Sequence, residues 1–304
     1  MSSLAELPLE LVLVVAEHAA WVAAEHNVAW LASLCTVHRS FCTAIMPILY
    51  HTVTVDQDNL PILSVLADEA SSPLHMTRRA IFSLNIEGHH PETASLIHKL
   101  INGLKRVRDV TCTYSVFATF VDVYDPLSLA SAFITDITMQ WRTADRKLLA
   151  EPLFGLPLLH ITCGVRNDPL PPHTFDLHHA CTRLMIIDIY PSTSSGFTTS
   201  EEISGFLEKA ARFLEIPTLE RLLVRPRFIM SDAYESCVTS LRTWALTVRD
   251  DRIWLGEFRN SEEPPAVDDG TRLFDQMDRT DAFRGHALWM SGQQLFFRTD
   301  ELSA

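Results

Sequence analysis

The chain has 304 residues, of which 47% are apolar and 21% charged, and it carries a formal net charge of −13. That composition belongs to a globular protein with a sizeable core rather than a disordered one, and its negative balance argues against nucleic acid as the default partner. The longest apolar run, after Pro8, is broken by Glu10 and Glu17 and lacks a basic leader and a small-residue cleavage site, so neither a membrane span nor a secretory signal is expected.

Pro8 stands where a helix can begin, since a first-turn proline forfeits no helical hydrogen bond. Leu9 and the run Leu11 to Ala16 follow, interrupted only by Glu10 before the helix reaches Glu17. A helix packed on one core shows a single apolar stripe. This one is apolar nearly all round and calls for burial on two sides, which a unit of roughly fifty residues cannot provide from its own interior. Leu11 and Val15 repeat at i, i+4 on one side, and Leu9, Val12 and Ala16 are expected to pack inward on another. Further on, Leu31, Leu34, Val37 and Phe41 recur at helical spacing. Pro47 precedes Ile48, Leu49 and Tyr50, and His51 to Val55 turns to alternating β-branched residues, a strand signal.

These residues carry a resemblance. Leu7-Pro8-Leu9-Glu10-Leu11 resembles the opening of an F-box, Val37-His38-Arg39-Ser40-Phe41 its Val-Cys-Arg-Arg-Trp block, and Leu49-Tyr50 its closing Leu-Trp. The run Leu49 to Val55 is similar to the junction between F-box and first repeat strand in many fungal F-box-like proteins. His38 stands for the usual Cys, Phe41 for the usual Trp, and the segment Glu17 to Trp30 is longer and richer in Ala than the usual link. The resemblance implies a substrate-receptor subunit of a cullin–RING (SCF-type) ubiquitin ligase. It further implies an adaptor-binding surface drawn from Leu7, Pro8, Leu11, Val15, Val37, Phe41, Leu49 and Tyr50, and a protein substrate held by the rest of the chain. The other reading of this stretch is a plain helical hairpin packed on its own domain.

After the helical module, residues 1–50, the remainder, 51–304, is expected to form an α/β solenoid of leucine-rich-repeat type with parallel strands and a C-terminal cap. Asp56 to Pro73 reads as one helix, Arg79 to Glu87 as a strand, Pro91 to Leu104 as a helix and Val107 to Tyr114 as a strand. The pattern apolar-x-x-apolar-x-apolar then recurs as Ile81-Leu84-Ile86, Val107-Val110-Cys112 and Ile134-Ile137-Met139. It continues as Leu156-Leu159-Ile161, Cys181-Leu184-Ile186 and Leu219-Leu222-Val224, in steps of 22 to 27 residues and one of 38. Leucine-rich repeats run at about 20–29 residues, and stacked units bury one another's apolar faces. The long step holds a Thr199-x-x-Glu202 capping box that should open a helix. Val267 to Arg279 reads as a polar helix, and His286 to Arg298 as an apolar-aromatic stretch suited to an end cap or a partner patch. A doubly wound α/β domain is the competing fold, but only 10 glycines occur and no Gly-rich phosphate loop.

Little in the sequence selects catalytic chemistry. His173, His178, His179 and Cys181 cluster too loosely for a structural zinc site, with Cys181 in a core position of the repeat, so no metal is expected. His89-His90 suits a turn before Pro91. The six cysteines form no CxxC and no dense framework, and read as buried thiols of a cytoplasmic or nuclear protein. No nucleophile-elbow motif appears, and the acidic pairs Glu201-Glu202 and Asp268-Asp269 fit helix N-termini. No cofactor or enzymatic activity is expected. The alternatives are a repeat scaffold that assembles no ligase, and a cryptic α/β enzyme, which would show a deep polar pocket at the strand C-termini.

Overall fold

A computed structural model describes residues 8–24, 27–84, 91–124, 128–135, 150–165, 175–191, 198–227, 231–256, 281 and 286–297. Among the described residues the chain is mixed α/β, with nine strands hydrogen bonding in chain order and helices between them. Pairing is parallel between the first and second strands and from the fourth through the eighth, and antiparallel between the eighth and the ninth. Two compact units, residues 1–109 and 110–304, divide it.

The first unit opens with three helices, α1 (Leu9–Ala23), α2 (Val28–Val37) and α3 (Arg39–Leu49). Asn27 starts α2, its side-chain oxygen accepting from the Trp30 N–H at 3.1 Å. His38 ends α2 in an extended conformation and starts α3, its Nδ1 accepting from the Ser40 N–H at 3.2 Å. A capping acceptor of this kind satisfies one of the orphan donors of a first turn. The three helices close on Ala20, Leu31, Ile45 and Ile48, with Ala16, Leu34, Cys35 and Leu49 alongside. β1 (Thr52–Val55) pairs with β2 (Arg79–Phe82). Between them α4 covers only Leu60–Ala67, not the whole span from Asp56 to Pro73. The Asp56 carboxylate accepts from the N–H groups of Asp58 and Asn59, and that local turn delays the helix. The helix α5 (Pro91–Gly103) lies against α4 at Gly103, where a Cβ would collide with Ala67.

The strand β3 (Asp109–Cys112) starts on the last residue of the first unit, and α6 (Tyr114–Val123) and β4 (Ser131–Ile134) follow in the second. Then come α7 (Ala150–Phe154), β5 (Leu158–Gly164), β6 (Leu184–Tyr190), α8 (Ser200–Ala210) and β7 (Arg221–Pro226). The chain closes with α9 (Ser231–Val248), β8 (Ile253–Leu255), α10 (His286–Trp289) and β9 (Gln293–Gln294). The Thr199/Glu202 box opens α8 with both reciprocal bonds, at 3.2 and 3.1 Å.

Register divides this sheet into two faces, because side chains alternate along a strand. One carries Leu159, Ile161 and Cys163, then Met185, Ile187 and Ile189, then Leu222 and Val224, then Ile253 and Leu255, all buried. The other carries Leu158 and His160, Leu184, Ile186 and Asp188, Arg221, Leu223 and Arg225, and Trp254. The repeat pattern is therefore one residue out at its fifth unit, where Met185, not Leu184, lies beside Leu159 and Leu222, and it misplaces its third, where Ala132 and not Ile137 pairs with Leu159. A slip of one residue exchanges the faces, so Leu184 is only half-buried and Cys181 is exposed rather than core. Leu84, Val110, Leu159 and Leu222 are buried as expected. Ile86, Ile137, Met139, His89, His90 and the helix expected from Val267 to Arg279 lie outside the described residues.

One backbone joint recurs where strands begin. The His51 carbonyl accepts from the N–H groups of Arg78 and Arg79, and the Arg78 carbonyl from those of Arg108 and Asp109. In the second unit the Pro157 carbonyl accepts from Arg183 and Leu184, and the Arg183 carbonyl from Glu220 and Arg221.

Candidate functional site

The first feature is the outward side of α1. Ala16 and Ala20 turn to the module's core, and small residues there let the helices approach closely. The opposite stripe holds Leu11, Val14, Val15, Trp21 and Val22, all exposed, with His18 among them. Leu11 is 52% exposed, Val15 68% and, on α2, Val37 66%. Pro8 is exposed as well, Phe41, Leu49 and Tyr50 are half-buried, and Leu7 lies outside the described residues. Leu49 also packs on the module's own core. Leu9, expected to face inward, is 47% exposed, because the helix begins there and nothing described covers its first turn. Trp21 is fixed edge-on to the His51 ring, with centroids 5.0 Å apart.

A second feature lies in the second unit, on the sheet face carrying Leu158 and Trp254. Mid-strand positions of β5, β6 and β7 bring together His160, Asp188 and Arg225, of which His160 is 1% and Asp188 0% exposed. Arg225 grips Asp188 with two parallel bonds, Nε to Oδ1 and Nη2 to Oδ2, each 2.6 Å. The same Nη2 donates to Asp281 at 2.7 Å, and Arg227 adds bonds to Asp188 at 3.2 Å and to Asp281. Nε2 of His160 lies 3.0 Å from both Asp188 and Arg225, donating to the first or accepting from the second according to its tautomer. Phe133 of β4 stacks on the imidazole at 3.6 Å, with ring planes 2° apart, and Trp289 approaches it edge-on. Gly256 makes room for Arg225, since a Cβ there would strike the arginine stem.

Charges sort themselves accordingly. Burial drives His160 toward its neutral form, below the usual histidine range, against the pull of Asp188. Burial alone would raise the Asp188 carboxyl, but Arg225 and Arg227 outweigh it and hold the group well below the usual carboxylate range. Arg225 is likewise raised, Asp188 and Asp281 overcoming its desolvation. Two cations, two anions and a neutral ring make a closed set, the condition under which buried charges are tolerated. A His–Asp pair can serve as a general base only if the imidazole reaches a substrate proton. Here the ring is stacked, capped and bonded on its interior side, and the set instead ties three strands to the segment bearing Asp281. Nearby, Leu288 and Trp289 pack on Ile186 and Leu223 of the same face.

An open cleft of about 470 Å³ is the third feature, at the strand N-termini of that face. Pro157, Leu158, Leu184 and Trp254 give it an apolar floor, and Met290 lies at its mouth. Arg183 and Glu220 line it as an exposed ion pair, with Arg183 Nη2 at 2.6 Å from Glu220 Oε1. Arg221 completes the lining, its guanidinium carbon 3.6 Å from the centroid of Trp254.

Of the other candidates, His178, His179 and Cys181 are exposed, with His179 3.5 Å from Asp176, and His173 lies outside the described residues. Among the described residues no group of three or more His, Cys, Asp or Glu could hold a metal ion, and no helix is long and apolar enough to cross a membrane. Sequence reasoning missed the His160–Asp188–Arg225 set, although each member is a polar residue inside an otherwise apolar strand. Comparison with family models, curated proteins and solved structures finds no match, so function has to be argued from the chain's own residues.

Proposed function

We propose that this chain is a substrate-receptor subunit of a cullin–RING ubiquitin ligase. In this reading its F-box-like N-terminal module binds the adaptor subunit, and its leucine-rich-repeat-like solenoid holds a protein substrate. The chain supplies binding and proximity, with no covalent catalysis of its own. The observation that carries the reading is the exposed apolar stripe of α1, Leu11, Val14, Val15, Trp21 and Val22. Contiguous exposed apolar surface marks interaction sites, and this stripe falls on the element whose residues resemble the F-box opening. The adaptor surface is assigned to Leu7, Pro8, Leu11, Val15, Val37, Phe41 and Tyr50, with Leu49 serving mainly the module's core.

Support for the solenoid comes from strand order that follows chain order and from the strand-entry joint repeated at His51, Arg78, Pro157 and Arg183. A cryptic enzyme gains less, since the described cleft lies at strand N-termini rather than at the C-terminal ends where open α/β sheets bind ligands. Only four lysines, Lys99, Lys105, Lys147 and Lys209, occur beside 21 arginines. Few lysines would limit self-modification of a ligase subunit, but codon bias is the plainer explanation of them.

The test is a pull-down with purified adaptor, beside a thermal melt of the same proteins. Wild type should bind, and the double changes Leu7→Ala/Pro8→Ala and Leu11→Ala/Val15→Ala should each weaken binding about tenfold or more, since an exposed anchor can contribute about 2 kcal/mol. A folded wild type that binds no adaptor leaves the scaffold without a ligase as the surviving account. Undiminished binding by both variants would place the interface on other residues.

A further inference from the structure

Three arginines on one row of the second unit differ in what answers their charge. Arg221, Arg225 and Arg227 are separated by even intervals along β7 and its extension. Asp188 and Asp281 neutralise Arg225 and Arg227. Arg221 is only 6% exposed, yet no carboxylate among the described residues pairs with it. Its Nη2 donates to the Ser291 carbonyl, its face rests on Trp254, and its Nε makes no hydrogen bond. Burial pulls this guanidinium below the usual arginine range, whereas carboxylates raise Arg225. An unanswered cation at the wall of an open, apolar-floored cleft is a receptor for an anion carried on an apolar body.

The chain itself supplies the precedent. On the adjacent part of the same face its C-terminal region presents a carboxylate, Asp281, to two arginines, and lays Leu288 and Trp289 on Ile186 and Leu223. The cleft continues that surface, with Arg221 for the carboxylate and, for the apolar side chain, the half-buried Leu158, Leu184 and Trp254, which border the Leu288–Trp289 cluster. We infer that this cleft is the docking site for a partner protein's peptide segment in which an Asp or Glu stands beside a large apolar residue, the carboxylate on Arg221 and the apolar side chain on the floor. This deepens the receptor reading and rests on it.

The experiment is selection from a random-peptide display library on the immobilised full-length chain, followed by binding of the synthetic winner in solution. Enriched peptides should carry Asp or Glu beside Leu, Ile, Phe or Trp. Replacing that acid by its amide should weaken binding about tenfold, the scale of a charge-assisted bond. Arg221→Gln should do the same, and because it also disturbs the Trp254 stack, Met290→Glu, a change at the exposed mouth, provides a second variant that leaves the core alone. Met290→Glu should repel the peptide about tenfold and leave adaptor capture unchanged, so that loss of this site and failure of the ligase reading give different results. Three outcomes would overturn the inference: no enrichment, enriched peptides without an acid, or binding that survives Met290→Glu. A phosphoserine analogue binding tenfold tighter than the acidic peptide would overturn it too, reassigning the cleft to phosphorylated partners.

Discussion

Helix α1 and the centre of strands β5 to β7 break the ordinary distribution of residues in opposite directions. Globular chains bury apolar side chains and leave charges in water. Helix α1 leaves Leu11, Val14, Val15 and Val22 exposed, while the strands bury His160, Asp188 and Arg225. What separates the two regions is closure. Asp188 and Arg225 have their counter-charges within hydrogen-bonding distance, supplied by the same unit. Nothing among the described residues covers the outward stripe of α1. A departure compensated from within is architecture, and one left uncompensated is an invitation to a partner. Arg221 has the burial of the first kind and the unmet charge of the second.

Four measurements test that contrast, beginning with the largest effect. Asp188→Ala leaves Arg225 and Arg227 in the interior with Asp281 as their one remaining carboxylate among the described residues, and should cost about 3–5 kcal/mol in denaturant unfolding, the penalty for breaking a buried pair from one side. A loss under about 1 kcal/mol would mean that water already reaches the set. Next, Leu159→Ala should cost about 2–5 kcal/mol, as for a fully buried leucine. Leu184→Ala should cost clearly less, because it stands half-buried on the other face, and equal losses would contradict the register that pairs Leu159 with Met185.

Acid should then weaken the fold in two stages. The folded His160 resists protonation, so below about pH 6.5 the unfolded chain takes up a proton that the folded chain refuses, and stability begins to fall. The contribution of Asp188 is complete above about pH 4 and is lost as pH drops through its depressed folded value. Unfolding free energy measured across this range should be level near neutrality, and His160→Gln should flatten the first decline. An unchanged profile would show that the imidazole is not held neutral. The smallest effect is expected outside: Val15→Ala should shift stability by only about 0.5 kcal/mol while still weakening adaptor capture. A large stability loss would move Val15 from interface to core.

Much of this contrast was legible in the sequence, though not its chemistry. The all-round apolarity of the first helix is a property of one segment, readable without tertiary information, and it anticipated the exposure of Leu11 and Val15. The strand pattern found four core positions, Leu84, Val110, Leu159 and Leu222, because burial on one face imposes a spacing. It failed at Leu184 because leucines occupy both faces there, and spacing alone cannot choose between registers one residue apart. The ionic set escaped because its members are 28 and 37 residues apart, so only the pairing of strands brings them together. Each could still have been flagged as a polar residue inside an apolar strand, such as Asp188 between Ile187 and Ile189. His38 departs from the Val-Cys-Arg-Arg-Trp block that its stretch resembles, and its role as a helix cap is visible only once α2 and α3 have their ends.

The two-residue strand β9 has a consequence for how such a chain can grow. It lies antiparallel on β8, Gln294 beside Trp254 and Gln293 beside Leu255, after a turn in which Gly292 takes φ +97°. The Leu295 N–H then donates to the Ile253 carbonyl. A free edge of a parallel sheet is a template on which another copy can add, the first step toward fibres. Here that edge is already spoken for and its direction reversed, so an incoming strand must first peel β9 away. A further parallel strand can therefore hydrogen bond to this stretch of β8 only after β9 has left it.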